Sequence, residues 1–298
     1  MKQYLDILRN IVENGVPKQP VRVGPDGTVV KVENGTIGLA NQVFSHDMKD
    51  GFPLLTTRKL PIRSTAVELE GFINGINSKA WYKERKCSYW DHWCNPLKIQ
   101  ERVLREGEPT LEVRKQWMRE EDDLGNFYPM NWRGRGSNKT DQLLDIVKKL
   151  KNNPYDRRMI CSAWFPDDIP NAALPSCHMI FNIVVYGNTL NLCWTQRSVD
   201  YICGAPANIS SYALLLLLLC KVGNFEPGNL TGMLNDCHVY ENHIEGAKEM
   251  LRREPKELPT LTITGQEGEE FDLFKWTHKD FFVYDYEPLE AIKFEVTV

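Results

Sequence analysis

Helical and strand-like patterns interleave along the 298 residues without a regular βαβ rhythm, which predicts an α+β fold with a substantial sheet. Two features carry that reading. One is a pair of β-like runs, Met179 to Tyr186 and Thr189 to Gln196, joined by the two-residue hairpin signal Gly187-Asn188. The other is an apolar run containing six consecutive leucines, which reads as a buried helix. No Gly/Ser linker, repeat or low-complexity tract divides the chain, so residues 1–298 read as one domain.

Tyr4, Leu8, Ile11 and Val12 recur at helical spacing ahead of Gly15, predicting an opening helix that stops there. From Val16 to Gly38 the chain is loop and hairpin material, with Gly24-Pro25-Asp26-Gly27 ahead of a β-like piece from Thr28 to Val32. A second helix is expected over Ser64 to Asn74, offering Val67, Phe72 and Ile73 to a core. Asn95 to Asp123 alternates charges densely and reads as an exposed insertion, either a solvated face or a partner-binding surface. Helix returns over Thr140 to Asn152, with Leu143, Leu144, Val147 and Leu150 on one side and Asn153-Pro154 as the stop. Arg158 to Phe165 is β-like and leads to the hairpin pair. The leucine helix is expected from about Ile209 to Val222 and a further helix from about Val239 to Arg253. Apolar-aromatic strands should close the chain, ending at Phe294 to Val298.

The 36 Lys+Arg against 40 Asp+Glu leave a formal charge of -4, so no global field draws in nucleic acid or an acidic membrane. A small-anion site needs only local arginines. The eight cysteines include no CxxC pair and read as reduced thiols; with no apolar signal core at the start, the expected location is cytoplasmic. The apolar run Tyr212 to Cys220 is far shorter than the ~18 residues of a membrane span. No Walker A loop, GxGxxG or HExxH is present. Cys87, His92 and Cys94 fall short of the four ligands of a structural zinc, so no metal is expected.

Chemistry concentrates in the second half. Pro175-Ser176-Cys177-His178 begins one run of the hairpin, and Cys177 is either a thiolate nucleophile or a small core cysteine. Gln196, Arg197, Ser198 and Asp200 crowd the end of the other run, where a core gives no reason for them. Antiparallel pairing brings Cys177 and Arg197 to the same end, so the guanidinium can clamp a phosphate and stabilise the thiolate. Asp156-Arg157-Arg158 offers two more cations, or plain surface charge. Asn208 caps the leucine helix, or uses its amide to read a pyrimidine edge. His238 and Tyr240 hydrogen-bond sugar hydroxyls, or serve as a local cap and a packed ring. Glu68, on a buried-looking helix, needs a partner or a raised pKa suited to moving protons. Trp90 and Trp93 form a stacking surface or part of the core.

These motifs, in this order and over nearly the whole chain, resemble the thymidylate synthase family. The segments are Met1 to Leu5, Asp50 to Thr57, Tyr89-Trp90-Asp91-His92-Trp93, Asp123-Leu124-Gly125, Arg157-Arg158, Pro175 to His178, Gln196 to Asp200, Asn208 to Tyr212 and Asp236 to Tyr240. The resemblance implies a large twisted mixed sheet flanked by helices, one of them long, apolar and buried. It implies a homodimer that converts 2'-deoxyuridylate (dUMP) with 5,10-methylenetetrahydrofolate as cosubstrate and no metal. By motif, Cys177 is the nucleophile and Arg197 its activator and a phosphate ligand. Arg22 and Ser198 complete the phosphate site, with Arg157 and Arg158 reaching the partner's. Gln196 binds the substrate, Asn208 holds the pyrimidine on its N3 and O4 edge, and His238 and Tyr240 bind the 3'-hydroxyl. Glu68, Tyr128 and His178 shuttle protons. Trp90, Trp93, Leu174, Asp200, Gly204 and Val298 meet the folate.

The chain departs from the family pattern at Pro129, usually glycine, at Ala207, usually phenylalanine, and at Tyr89, usually aliphatic. The insertion and the loop after Arg22 also differ. Three outcomes follow: a synthase that delivers hydride to the methylene intermediate, a hydroxymethylase that delivers water, or a relative that binds without catalysis.

Overall fold

The computed structural model describes residues 1–23, 29–266 and 270–295, with the side chains of residues 22, 23, 29 and 30 outside that description. The opening helix α1 (Lys2–Asn14) buries Tyr4, Leu5, Ile7, Leu8 and Ile11 and ends at Gly15. Short strands β1 (Val16–Lys18), β2 (Val21–Val23) and β3 (Val29–Lys31) follow, then the long β4 (Thr36–Asp47). The turn predicted at Gly24 to Gly27 lies outside the described residues. Helix α2 (Ile62–Asn74) stops at Gly75, whose φ of +69° suits glycine. Next come α3 (Lys79–Glu84) and the insertion, which folds as two helices, α4 (Pro96–Glu106) and α5 (Leu111–Glu120). Ile99 and Trp117 bury each other there with Cys94, so the charges coat a small helical hairpin. Both Asp123 carboxylate oxygens close its base, accepting from Asn77 and Asn95 at 3.0 and 2.9 Å.

The chain continues through α6 (Tyr128–Trp132), α7 (Gln142–Asn152), β5 (Ile160–Ser162), β6 (His178–Tyr186), β7 (Thr189–Asp200), α8 (Gly204–Gly223), β8 (Glu226–Tyr240) and α9 (Ile244–Arg252). A two-stranded sheet, β9 (Thr260–Ile263) with β10 (Phe281–Tyr284), follows. Among the described residues the main sheet has six strands in the order β1-β4-β8-β7-β6-β5. All its pairs are antiparallel except β7 with β8, which α8 joins by crossover. The sheet is therefore mixed, with helices packed on it, and the expected α+β architecture holds.

Four readings need correction. Asp236 to Tyr240 is the end of β8, not a helix start. Pro, Gly, Asn and Asp depress β propensity along β8, but ladders to β4 and β7 on either side hold it extended. The leucine helix starts at Gly204, so Asn208 lies inside it rather than capping it. The run after Arg158 pairs only over Ile160–Ser162. Phe294 and Glu295 are not in a strand, and Val296 to Val298 lie outside the described residues.

Helix α8 is apolar all round because it is enclosed, by β7 and β8 on one side and α2 and α7 on the other. It is long and apolar enough to cross a membrane, yet most of it is buried in the protein. Leu216 within it has no exposed surface, whereas Leu104 on the insertion is 89% exposed. Leu216→Ala should lower the unfolding free energy by about 2–5 kcal/mol in a urea melt. Leu104→Ala should change it by no more than about 0.5 kcal/mol.

Candidate active site

The β6–β7 ladder pairs His178 with Gln196, and the next bond beyond it joins the Arg197 N–H to the Cys177 carbonyl at 2.8 Å. A bulge between His178 and Ile180 bends the strand just past the cysteine. Arg197 folds back over this end. Its Nε donates to the Ser176 carbonyl at 2.9 Å and its Nη2 to the Pro175 carbonyl at 2.8 Å, with Nη2 3.8 Å from Cys177 Sγ. The Trp164 ring lies under the guanidinium, 5.2 Å from its centroid.

Arg197 pulls the thiol towards the thiolate, as expected from sequence, and burial acts against it. Burial pushes the Cys177 thiol up; Arg197 and Tyr128 pull it down, and burial prevails.

Behind the sulfur is a stacked aromatic group. The Tyr128 hydroxyl accepts the Cys177 N–H at 2.7 Å, and the His178 ring lies flat on Tyr128 at 3.9 Å. His178 Nδ1 meets the Tyr212 hydroxyl at 2.8 Å. Burial lowers the His178 pKa to about 3, so the ring is neutral at ordinary pH. Glu68, on α2, accepts from Trp90 Nε1 at 2.9 Å. Burial raises its pKa to about 7 against the opposing effect of that bond, which places it between acid and base.

On the other side, Asn208 Nδ2 donates to Gln196 Oε1 at 3.2 Å. The Asp200 carboxylate accepts the N–H groups of Ile202 and Cys203, both at 3.0 Å, and so shapes the turn into α8 beside Gly204. His238 pairs across the sheet with Asp200, and its ring contacts Tyr240 at 5.3 Å. Ser198 sits opposite Asp236.

Two cavities open at this end of the sheet. One of about 530 Å³ is lined by Lys18, Gly38, Arg197 and Asp236, where Lys18 Nζ meets Asp236 at 2.7 Å. The other, about 630 Å³, is walled by Arg58, Thr65, Tyr89, Ala207 and Phe294. A larger cavity of about 750 Å³ lies around Lys151, Lys221 and Gln266 and shares no lining residue with these two. Cys177 and Arg197 are not among its lining residues.

The thymidylate synthase family model matches residues 2–298. The chain belongs to the thymidylate synthase family. Its members are one-carbon transferases that act on dUMP, with methylenetetrahydrofolate as cosubstrate.

Most residues assigned by resemblance to this family converge: Cys177, His178, Gln196, Arg197, Ser198, Asp200, Asn208, His238 and Tyr240 share the end where β7, β8 and the start of β6 meet. Trp90 is buried against Glu68, and Trp93 and Leu174 pack partly buried against the core. Arg157 and Arg158 do not join them. The β5–β6 register puts them near the Gly187 turn, at the far end of β6 from Cys177, with Arg158 paired to Asp156 at 3.1 Å. Arg22 lies on β2 opposite Val30, its side chain outside the description, and Val298 lies outside the described residues. Pro129 falls in the first turn of α6, where its missing N–H would have had no helical partner. Sequence reasoning missed Tyr212, Arg58 and Lys18. Tyr212 looked like core because only its ring pattern, not the polarity of its hydroxyl, follows the helix period.

Glu68 keeps its proton to about pH 7 when folded, against an ordinary 4.5. The unfolded chain therefore ionises first, and this contribution to stability, complete below the ordinary value, is lost as pH rises towards 7. Urea melts across this range should show the decline in the native chain relative to Glu68→Gln, with the two parallel above it.

Proposed function

We propose that the chain is a thymidylate synthase, converting dUMP to dTMP through a covalent bond between Cys177 Sγ and pyrimidine C6. The observation that carries this reading is the Arg197 guanidinium 3.8 Å from Cys177 Sγ, with the Gln196–Asn208 amide pair on the same end of the sheet. In this reading the Cys177 S–H proton leaves to water as the Sγ–C6 bond forms, and the C5=C6 electron pair moves towards O4, where an Asn208 N–H receives the negative charge. Methylenetetrahydrofolate supplies the one-carbon unit and, in the synthase, the hydride. Once C5 has bonded the one-carbon unit, Glu68, its pKa raised to about 7, takes up the C5 proton, Tyr128 and His178 belong to the same proton network, and the departing sulfur regains a proton to restore the thiol. Arg197, Ser198, Arg22 and Lys18 are suited to the phosphate, and His238 and Tyr240 to the deoxyribose. The cavity of about 630 Å³ suits the folate, since it joins Leu60, Pro61 and Phe294 to the cationic Arg58. Trp90, Trp93, Leu174, Asp200, Gly204 and Val298 belong to the same proposal.

A homodimer fits this reading. One face of the sheet is left uncovered, exposing Val43, Ile160, Val184 and Met233, and pairing two such faces can carry Arg157 and Arg158 to a partner's phosphate. A second reading, hydroxymethyl transfer, draws on Ala207. Its short side chain shares a cavity with the hydroxyls of Tyr89 and Thr65, which lie 3.4 Å apart and can hold a water.

Incubation with dUMP and methylenetetrahydrofolate should yield dTMP and dihydrofolate, with activity abolished in Cys177→Ser. Hydroxymethyl product with tetrahydrofolate selects the second reading, and no product removes both. Glu68→Gln should lower kcat by about a hundredfold or more while dUMP still binds.

A further inference from the structure

Trp194, buried on β7 two residues before Gln196, has no part in the chemistry above, yet its one polar atom is committed. The indole Nε1–H donates to Gln196 Oε1 at 3.3 Å. Gln196 Nε2 donates to the Ser198 carbonyl at 3.1 Å. An indole N–H only donates and a carbonyl only accepts, so these two contacts fix which end of the Gln196 amide is oxygen. That oxygen also receives Asn208 Nδ2 at 3.2 Å, which fixes the Asn208 amide in turn. Of the three polar contacts Asn208 can make towards a base, one N–H is thereby taken. One N–H and the carbonyl remain, in a set orientation.

A uracil edge presents O4 as acceptor and N3–H as donor; a cytosine edge presents an amino donor and a bare N3 acceptor. A free amide accommodates either by turning over. A fixed one matches only one of them. We propose that Trp194 is a positioning residue that selects uracil over cytosine by locking Asn208 through Gln196. The pocket for the indole is built into the sheet: Gly232 lies directly across from it on β8, and a Cβ there would sit 2.5 Å from the ring. The ring also stacks on Tyr212 at 5.1 Å, which holds the indole plane.

This inference rests on the dUMP reading, so the test separates the two. Affinities of the full-length wild-type chain for dUMP and dCMP are measured first by calorimetry. If neither binds, the functional reading fails. If the wild-type chain prefers dUMP, Trp194→Phe should reduce the dUMP:dCMP ratio by about five- to tenfold, the value of one lost hydrogen bond. Replacing only the indole N–H by sulfur, with a benzothienyl side chain at 194, leaves shape and stacking in place and should reduce the ratio equally. A ratio within twofold of wild type in the folded sulfur isostere overturns the proposal, as would a wild-type chain that binds both nucleotides equally.

Discussion

The bond from the Arg197 N–H to the Cys177 carbonyl, at 2.8 Å, sets the geometry of everything around it. It is one step of the β6–β7 ladder, so its register is fixed by a hairpin whose turn, Gly187 at φ +58°, lies at the opposite end. From that register the guanidinium can fold only over the Pro175–Cys177 segment, and the bulge at His178 turns the imidazole onto Tyr128. A slip of one residue would send Gln196 to the open face and Arg197 into the core. The parallel partner β8 then brings His238 beside Asp200, and the crossover helix α8 returns Asn208 to Gln196.

Burial gives the site its electrical character. It raises the Cys177 thiol, Glu68, Tyr128 and Tyr212, and it lowers His178, each towards its neutral form. Arg197 brings its guanidinium to within 3.8 Å of the sulfur. A pocket of neutral groups around one guanidinium suits an anionic substrate.

How much of this the sequence discloses depends on how local the signal is. The hairpin, α1 with its Gly15 stop, and the buried leucine helix follow from turn chemistry and periodicity. So does the meeting of Cys177 with Arg197, because strand pairing across a two-residue turn is close to arithmetic. The strand character of Asp236 to Tyr240 is not local, since it depends on ladders from β4 and β7 at distant positions. Asn208 was misplaced as a cap because the first turn of α8 holds Gly204 and Pro206, which read as turn residues although Pro is tolerated there. The burial of the Cys177 thiol is not legible in the sequence for a different reason. Sequence shows the neighbouring cation but not the depth of burial that outweighs it.

The claim on which the account depends is that Cys177 bonds directly to the pyrimidine. The most direct measurement is peptide mass mapping of protein quenched in acid during turnover with dUMP and methylenetetrahydrofolate. A nucleotide-derived mass on the peptide containing Cys177 is the predicted result. Turnover with that mass on a different cysteine, or with no modified peptide at any quench time, would contradict it.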